Sequence, residues 1–448
     1  MSKPLKVSVV PKELLVPFIA ATSIFALWGF ANDLTNPMVA AFKKVMVLSN
    51  AEAYNVQFAF YFGYGVMAIP AALFIRKFSY KSGILLGLAL YAIGAVLFYP
   101  AAENGSYGYF LISLFVITCG LGFLETTSNP LILSMGSSET ATQRLNLAQS
   151  FNPIGSLTGM LIAKFVVLDR ILSSDYASSE EIVALGAEKA DEIKAYDLSV
   201  ISLPYIAVGL FVALVFLVIW RTKIPAMSMG DKLSISESVS RILKSKTYVL
   251  GVLAQTFYVG AQIMCWTAIF QLVEYLNESA NLAIDATWWN IAAMVSFVTT
   301  RFIGTAMMRK INPSKMLAIF GLAASLMCAG VIFSSGLMSI VFLVLVSVFM
   351  SIMFPTIYGI ALKDMGEEVK LASSGLIMAI VGGALLPKLQ ARIMDFGETV
   401  NGQEVFGDAV VAGIPEIHFS FILPLLCLLF VAFYGIYAYK VTKSIASF

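Results

Sequence analysis

Apolar residues along this chain gather into repeated runs of about twenty, each bounded by a short polar or charged stretch. A helix needs about that length to cross hydrocarbon, and only helices or closed barrels satisfy every backbone group there. Barrel strands would alternate apolar with polar residues, and these runs do not. The pattern predicts twelve helical spans at about 15–42, 53–75, 82–100, 108–133, 145–168, 198–220, 247–272, 287–308, 315–334, 338–362, 371–394 and 418–438. The expected fold class is therefore an all-α polytopic membrane protein embedded in a lipid bilayer.

Composition agrees. Of 448 residues, 59% are apolar and 12% charged, where a soluble domain carries about a quarter charged. The net charge is only +2, and no nucleic-acid partner is expected. Where the charges sit is more informative. Loops sharing a side with the N-terminus hold 20 of the 29 Lys and Arg residues, and the opposite loops hold five: Lys43, Lys44, Arg170, Lys189 and Lys194. The positive-inside rule then places both termini in the cytoplasm. Lys3, Lys6 and Lys12 lead straight into a full-length span with no small-residue cleavage site, so no cleavable signal is expected. Cys119, Cys265, Cys328 and Cys427 stand singly in apolar runs and read as packing residues, with no metal spacing.

The acidic stretch 169–197 falls outside the cell, with room for a short amphipathic helix, and the basic stretch 221–246 falls at the midpoint of the span count. That midpoint divides the chain into an N-terminal six-helix bundle (1–220), a cytoplasmic linker (221–246) and a C-terminal six-helix bundle (247–448). A weak repeat supports two pseudo-symmetric halves. Arg76-Lys77 is echoed by Arg309-Lys310, Leu147-Ala148-Gln149-Ser150 by Leu371-Ala372-Ser373-Ser374, and Pro130 by Pro355. The offsets, 224 to 233 residues, are half of 448.

Ionisable groups inside spans are costly, about 2.5–3.5 kcal/mol at mid-bilayer, and mark cavities or partners. Lys164 can snorkel from the outer end of span five, and Lys388 and Arg392 suit interface anchoring. Arg301, two turns from the cytoplasmic end of span eight, suits a gate or conformational latch. Asp33 and Glu125 lie deep in spans one and four. Burial disfavours the charged form of a carboxyl, so such a group can load a proton on one side and release it on the other. The plainer alternative is a neutral acid bonding neighbouring helices. Amides cluster nearby: Asn32 and Asn36 in span one; Asn146, Gln149 and Asn152 in span five; and Gln255, Tyr258, Gln262 and Trp266 in span seven. Spacings of three or four align each set on one helix face. Amides offer both donors and acceptors, as sugar hydroxyls require, and an aromatic ring can cover a pyranose face. Used only as glue between helices, each would be worth about 0.6 kcal/mol.

Several stretches resemble the fucose–proton symporter family of the major facilitator superfamily. They include Phe60-Tyr61-Phe62-Gly63-Tyr64, Gly120-Leu121-Gly122-Phe123-Leu124-Glu125-Thr126, Asn129-Pro130 and Arg144-Leu145-Asn146-Leu147-Ala148-Gln149-Ser150-Phe151-Asn152. In the second half, Val252-Leu253-Ala254-Gln255, Tyr258-Val259-Gly260-Ala261-Gln262, Cys265-Trp266, Arg301-Phe302 and Phe349-Met350-Ser351-Ile352 extend it. The resemblance implies the major facilitator fold and uptake of a monosaccharide of the fucose, glucose or galactose class, driven by proton entry. N-acetylglucosamine is an alternative substrate. The family's span-one Leu-Asn-Asp is here Leu34-Thr35-Asn36, an amide in place of the acid, while Asp33 supplies a carboxyl three residues earlier. Three residues is about 4.5 Å along the axis, on the same face. Proton coupling through Asp33 and Glu125 is expected, with sodium as the alternative coupling ion and no other cofactor. A monomer in a bacterial inner membrane is expected.

Other classes fit less well. Hydrolytic or transfer chemistry would need a nucleophile, a base or a metal cluster, and the only histidine, His418, lies at the outer lip of span twelve. Drug or metabolite exporters of the superfamily carry a glycine-proline run in span five, where this chain reads Asn152-Pro153-Ile154-Gly155. A sensor retaining the fold could dispense with the carboxyls this chain keeps.

Overall fold

The structure, a computed structural model, describes residues 8–46, 48, 55–176, 179–222, 234–280, 283–363, 365–394, 399–400, 403–404, 410–411 and 413–445; inside the helices a few further side chains, those of residues 36–41 among them, also lie outside the description. Among the described residues, twelve long helical spans follow one another. The first six are Leu15–Val45, Asn55–Lys77, Tyr80–Glu103, Tyr107–Ser134, Ser138–Leu168 and Ala187–Arg221. The second six are Lys246–Ala280, Ala286–Met307, Pro313–Phe333, Leu337–Ala361, Val369–Met394 and Glu416–Thr442. Among the described residues, ten of them qualify as membrane-crossing by length and composition. Spans two and eight, at 23 and 22 residues, complete the set and at 1.5 Å per residue also exceed the roughly 30 Å hydrocarbon layer.

Span six starts eleven residues before its expected edge, at Ala187, so much of the acidic stretch is a helical extension rather than a loop. That extension is pinned by Asp197. Its carboxylate accepts the backbone N–H groups of Leu172 (2.7 Å) and Ser173 (3.0 Å). Part of the expected linker 221–246, residues 223–233, lies outside the described residues. Its last part is a helix, Ile235–Lys244, started by a reciprocal cap in which Ser234 and Glu237 bond each other's backbone N–H. These bonds, the Ser234 backbone N–H foremost, hold the exposed Glu237 carboxyl below its usual pKa.

Contacts divide the chain into two compact units. One comprises Val10–Met135 and Phe151–Lys232; the other comprises Met1–Val9, Gly136–Ser150 and Leu233–Phe448. In the first, span four is buried on all sides over Ile117–Ile132. Glycines let its neighbours come close, as bilayers demand where lipid is as apolar as leucine. Gly87 and Gly120 bring spans three and four together, and Gly29, Gly155 and Gly159 bring spans one and five together. A Cβ on Gly159 would lie 2.6 Å from the Phe30 carbonyl oxygen. In the second unit, Gly260 and Gly382 do the same for spans seven and eleven, and Gly321 and Gly435 for spans nine and twelve. Gly29 and Gly260 are 231 residues apart, and Gly155 and Gly382 are 227 apart, within the range of the sequence repeat. The duplication thus repeats backbone contacts as well as residues.

Spans five and ten are each interrupted beside a proline. Span five runs as Ala141–Gln149 and then Asn152–Ile162, and span ten as Leu337–Met350 and then Met353–Ala361. Pro153 and Pro355 stand just inside the second pieces. Each proline lacks an N–H and its ring crowds the preceding turn, so the helix yields there.

Candidate functional site

Asp33 is buried at 8% exposure in the first unit. Gly29, one turn earlier on the same face, sits against the Asn152 carbonyl and Ser156 of span five. Asp33 therefore belongs to the face of span one that meets span five. Below that contact, span five widens into a π-helix over Ala163–Leu168, a form that recurs at functional sites. Thr35, two residues on, faces span six, its Oγ1 lying 3.1 Å from the Tyr205 hydroxyl. Asn32 is half-buried; the side chain of Asn36 lies outside the described residues.

Glu125 is buried at 6% exposure, and its Oε2 has no hydrogen-bond partner among the described residues. Gly122, one turn earlier, packs against Tyr64 and Met67, which puts Glu125 on the face of span four that meets span two. Trp28 of span one reaches the same Tyr64 edge-on, with ring centres 6.4 Å apart. Both carboxyls thus lie inside the helix packing, away from lipid. A buried polar atom without a partner costs free energy, which makes this oxygen a candidate for proton exchange or ligand contact.

The span-five amides do not share one face. The interruption at Ser150–Phe151 turns the helix between them, for the reason Pro153 gives. The Asn146 side chain donates to Thr356 Oγ1 of span ten (3.1 Å), within the second unit, where the backbone carbonyl of Gln149, not its side chain, accepts from Arg301 (2.9 Å). Asn152 instead donates to the Phe25 carbonyl of span one (3.2 Å), in the first unit. Its amide N–H is thereby spent on joining two helices.

Span seven keeps its set in order, but the four residues differ in what they still offer. Gln255 is wholly buried, and neither side-chain polar atom has a partner among the described residues; the same holds for the Tyr258 hydroxyl. Gln262 is half-buried. Trp266 commits its indole N–H to Ser347 of span ten (3.2 Å) and meets the Phe297 ring edge-on. Arg301 is buried at 3% exposure, its guanidinium 4.5 Å from the centre of the Phe297 ring.

Span ten adds residues that the sequence did not single out. The Ser351 hydroxyl has no partner among the described residues, and the Phe354 ring lies between Tyr258 and Tyr358, 6.4 Å from each. Their only local signal is Pro355, which breaks the helix beside them. Arg144, one of the basic residues on the N-terminal side, is fully buried, with Nη1 donating to the Val9 carbonyl (3.0 Å) and Thr140 Oγ1 (3.1 Å). Lys164 is half-exposed and 3.7 Å from Asp169, and Lys388 and Arg392 are exposed, as snorkelling and anchoring groups should be. His418 bonds the Val331 carbonyl through Nδ1 (2.8 Å). All four cysteines are buried thiols.

Residues 18–387 match the Major Facilitator Superfamily. Over 439 residues the chain is 49% identical to the L-fucose-proton symporter of Haemophilus influenzae, covering 97% of this chain and 99% of that protein. It is 29% identical over 427 residues to the glucose/galactose transporter of Brucella abortus, covering 94% and 93%. The crystal structure of the transporter FucP in the outward conformation superposes with a TM-score of 0.83 at 32% identity, covering 95% of this chain and 99% of that one. With twelve spans, carboxyls buried among them and relatives of nearly full length, the chain belongs to the fucose–proton symporter family of the major facilitator superfamily, whose members are multi-pass membrane carriers and not enzymes.

Proposed function

We infer that this protein imports a monosaccharide of the fucose, glucose or galactose class together with a proton, by alternating access between its two six-helix halves, 1–220 and 247–448. It does so as a monomer in a bacterial inner membrane, with both termini cytoplasmic. The observation that carries this reading is Glu125: a carboxyl buried in a membrane span with an oxygen that no described residue satisfies. Near-identity in length to a proton-coupled relative, at 49% sequence identity, supports it.

With the site open outward, Asp33 or Glu125 takes a proton and the sugar binds. Gln255 and Tyr258 contribute hydroxyl and amide groups not already engaged; Asn32, Asn36, Gln149, Asn152, Gln262 and Trp266 complete the sugar-binding set, and Arg301 acts as a gate. The halves then rock, the sugar leaves, and the proton follows. Each proton moving inward releases about 2.3 kcal/mol per 100 mV of membrane potential, enough to concentrate sugar many-fold.

The test is transport in liposomes with Glu125→Gln. Uphill sugar uptake driven by an imposed pH gradient should be lost, while exchange of labelled for unlabelled sugar survives. Uphill uptake at the wild-type level would remove Glu125 from coupling. Accumulation that follows a sodium gradient in place of pH would overturn the proton itself.

A further inference from the structure

In an α-helix the carbonyl of residue i accepts the N–H of residue i+4, and a proline at i+4 has none to give. Pro153 therefore leaves the Gln149 carbonyl without its helical donor, and Pro355 does the same to Ser351. Both acceptors are met by one side chain. Arg301 donates Nη1 to the Gln149 carbonyl at 2.9 Å and Nε to the Ser351 carbonyl. We propose that Arg301, held by these two proline-orphaned carbonyls, is the inner clasp of a latch that closes the cytoplasmic side of the carrier and must open to release sugar. The proposal rests on the carrier reading above.

The clasp is one rung of a polar ladder along the half-helix Ala141–Gln149. Gln143 Nε2 donates to the Thr305 carbonyl of span eight at 3.1 Å, and Asn146 Nδ2 to Thr356 Oγ1 of span ten at 3.1 Å. Residues 143 and 146 are three positions apart, so their side chains lie along one face, and the backbone carbonyl of Gln149 adds the third rung at the end of the half-helix. Gly359 lets span ten lie close: a Cβ there would come within 2.7 Å of Thr142 Oγ1. Hydrogen bonds of this kind can be exchanged for bonds to water when the rungs part, so the contact is reversible in a way an apolar seal is not. The half-helix ends at Gln149, and at Ser150 the chain passes from one compact unit to the other. The clasp thus holds the last residues before the chain leaves that compact unit.

A forked guanidinium serves two carbonyls at once; a lysine ammonium keeps the charge on a flexible stem without the fork. This sets the experiment. Asn146→Cys and Thr356→Cys are introduced together in a background where Cys119, Cys265, Cys328 and Cys427 are replaced by alanine, since those thiols are no more buried than the two test sites, and the rate of cross-linking by a short bis-methanethiosulfonate is measured in proteoliposomes. Cross-linking should arrest counterflow of labelled sugar, and reductant should restore it. Adding Arg301→Lys should slow cross-linking at least tenfold. So should Pro153→Ala, with Arg301 intact, because it returns an N–H to the Gln149 carbonyl and removes one of the two orphans; this variant decides the matter if Arg301→Lys does not fold.

Unchanged cross-linking rates in Arg301→Lys and Pro153→Ala would overturn the clasp. Counterflow persisting in the cross-linked protein would overturn the latch. If the unmodified cysteine pair runs no counterflow with any hexose or deoxyhexose while its cross-linking still depends on Arg301 and Pro153, the carrier reading fails and the clasp stands.

Discussion

Gly155→Ala adds one methyl group where span five meets span one. A Cβ at that position overlaps the Ala26 carbonyl oxygen and lies 2.7 Å from Ala26 C and 3.0 Å from its Cα. Restoring ordinary contact, about 3.5 Å, at the carbonyl carbon alone requires the two backbones to part by roughly 0.8 Å, and the nearer oxygen requires more. Overpacking of this kind costs about 1–3 kcal/mol. Asp33 follows Ala26 by seven residues, two turns along the same face, so a shift of span one carries the carboxyl with it. Displacements near 1 Å at a reacting group cost on the order of a hundred-fold in rate. The expected outcome in proteoliposomes is a lower unfolding midpoint together with a roughly ten- to hundred-fold loss of pH-driven sugar uptake. Gly108→Ala, whose nearest neighbour would be Ser106 Oγ at 3.9 Å, should change neither. Because the collision is with the backbone of Ala26, Ala26→Gly should fail to rescue Gly155→Ala. Full rescue, or wild-type melting and uptake in Gly155→Ala alone, would refute the close-packing argument.

Three further outcomes are expected. Asp33→Asn should abolish uphill uptake without abolishing exchange, and if pH-driven accumulation persists, Glu125 alone couples. Asp197→Ala removes the acceptor of two backbone N–H groups, each bond to a charged group being worth about 1.5–3 kcal/mol; a lower unfolding midpoint with unchanged apparent sugar affinity should follow, and an altered affinity would tie that extension to the binding site. Trp266→Phe loses only the bond to Ser347, roughly 1 kcal/mol, and should weaken sugar binding less than Tyr258→Phe does, as read by equilibrium binding; the reverse order would make Trp266 the principal contact.

The burial of Asp197 and Glu416 was not legible in the sequence, whereas the number of spans, most of their approximate edges and the burial of Asp33 and Glu125 were. Each is a local property: a run of apolar residues long enough for hydrocarbon, and an acid inside it, need no knowledge of neighbours. Family membership was legible for a related reason, since motifs such as Arg144-Leu145-Asn146 and Gly120-Leu121-Gly122 are contiguous. What remained hidden depends on partners distant in the chain. Spacing by three aligned Asn146, Gln149 and Asn152 only for an unbroken helix; Pro153 interrupts it, and the side chains of Asn146 and Asn152 go to spans ten and one, while the backbone carbonyl of Gln149 meets Arg301 of span eight. Arg144 read as one more loop charge, whereas the fold buries it wholly under the Val9 and Ser137 carbonyls. Arg301 could be suspected of gating from its depth, but its two acceptors lie 152 and 50 residues away. Periodicity reports which residues share a helix face. Only packing decides which neighbour that face meets, and so which polar groups are spent on holding helices together and which are left for a passenger.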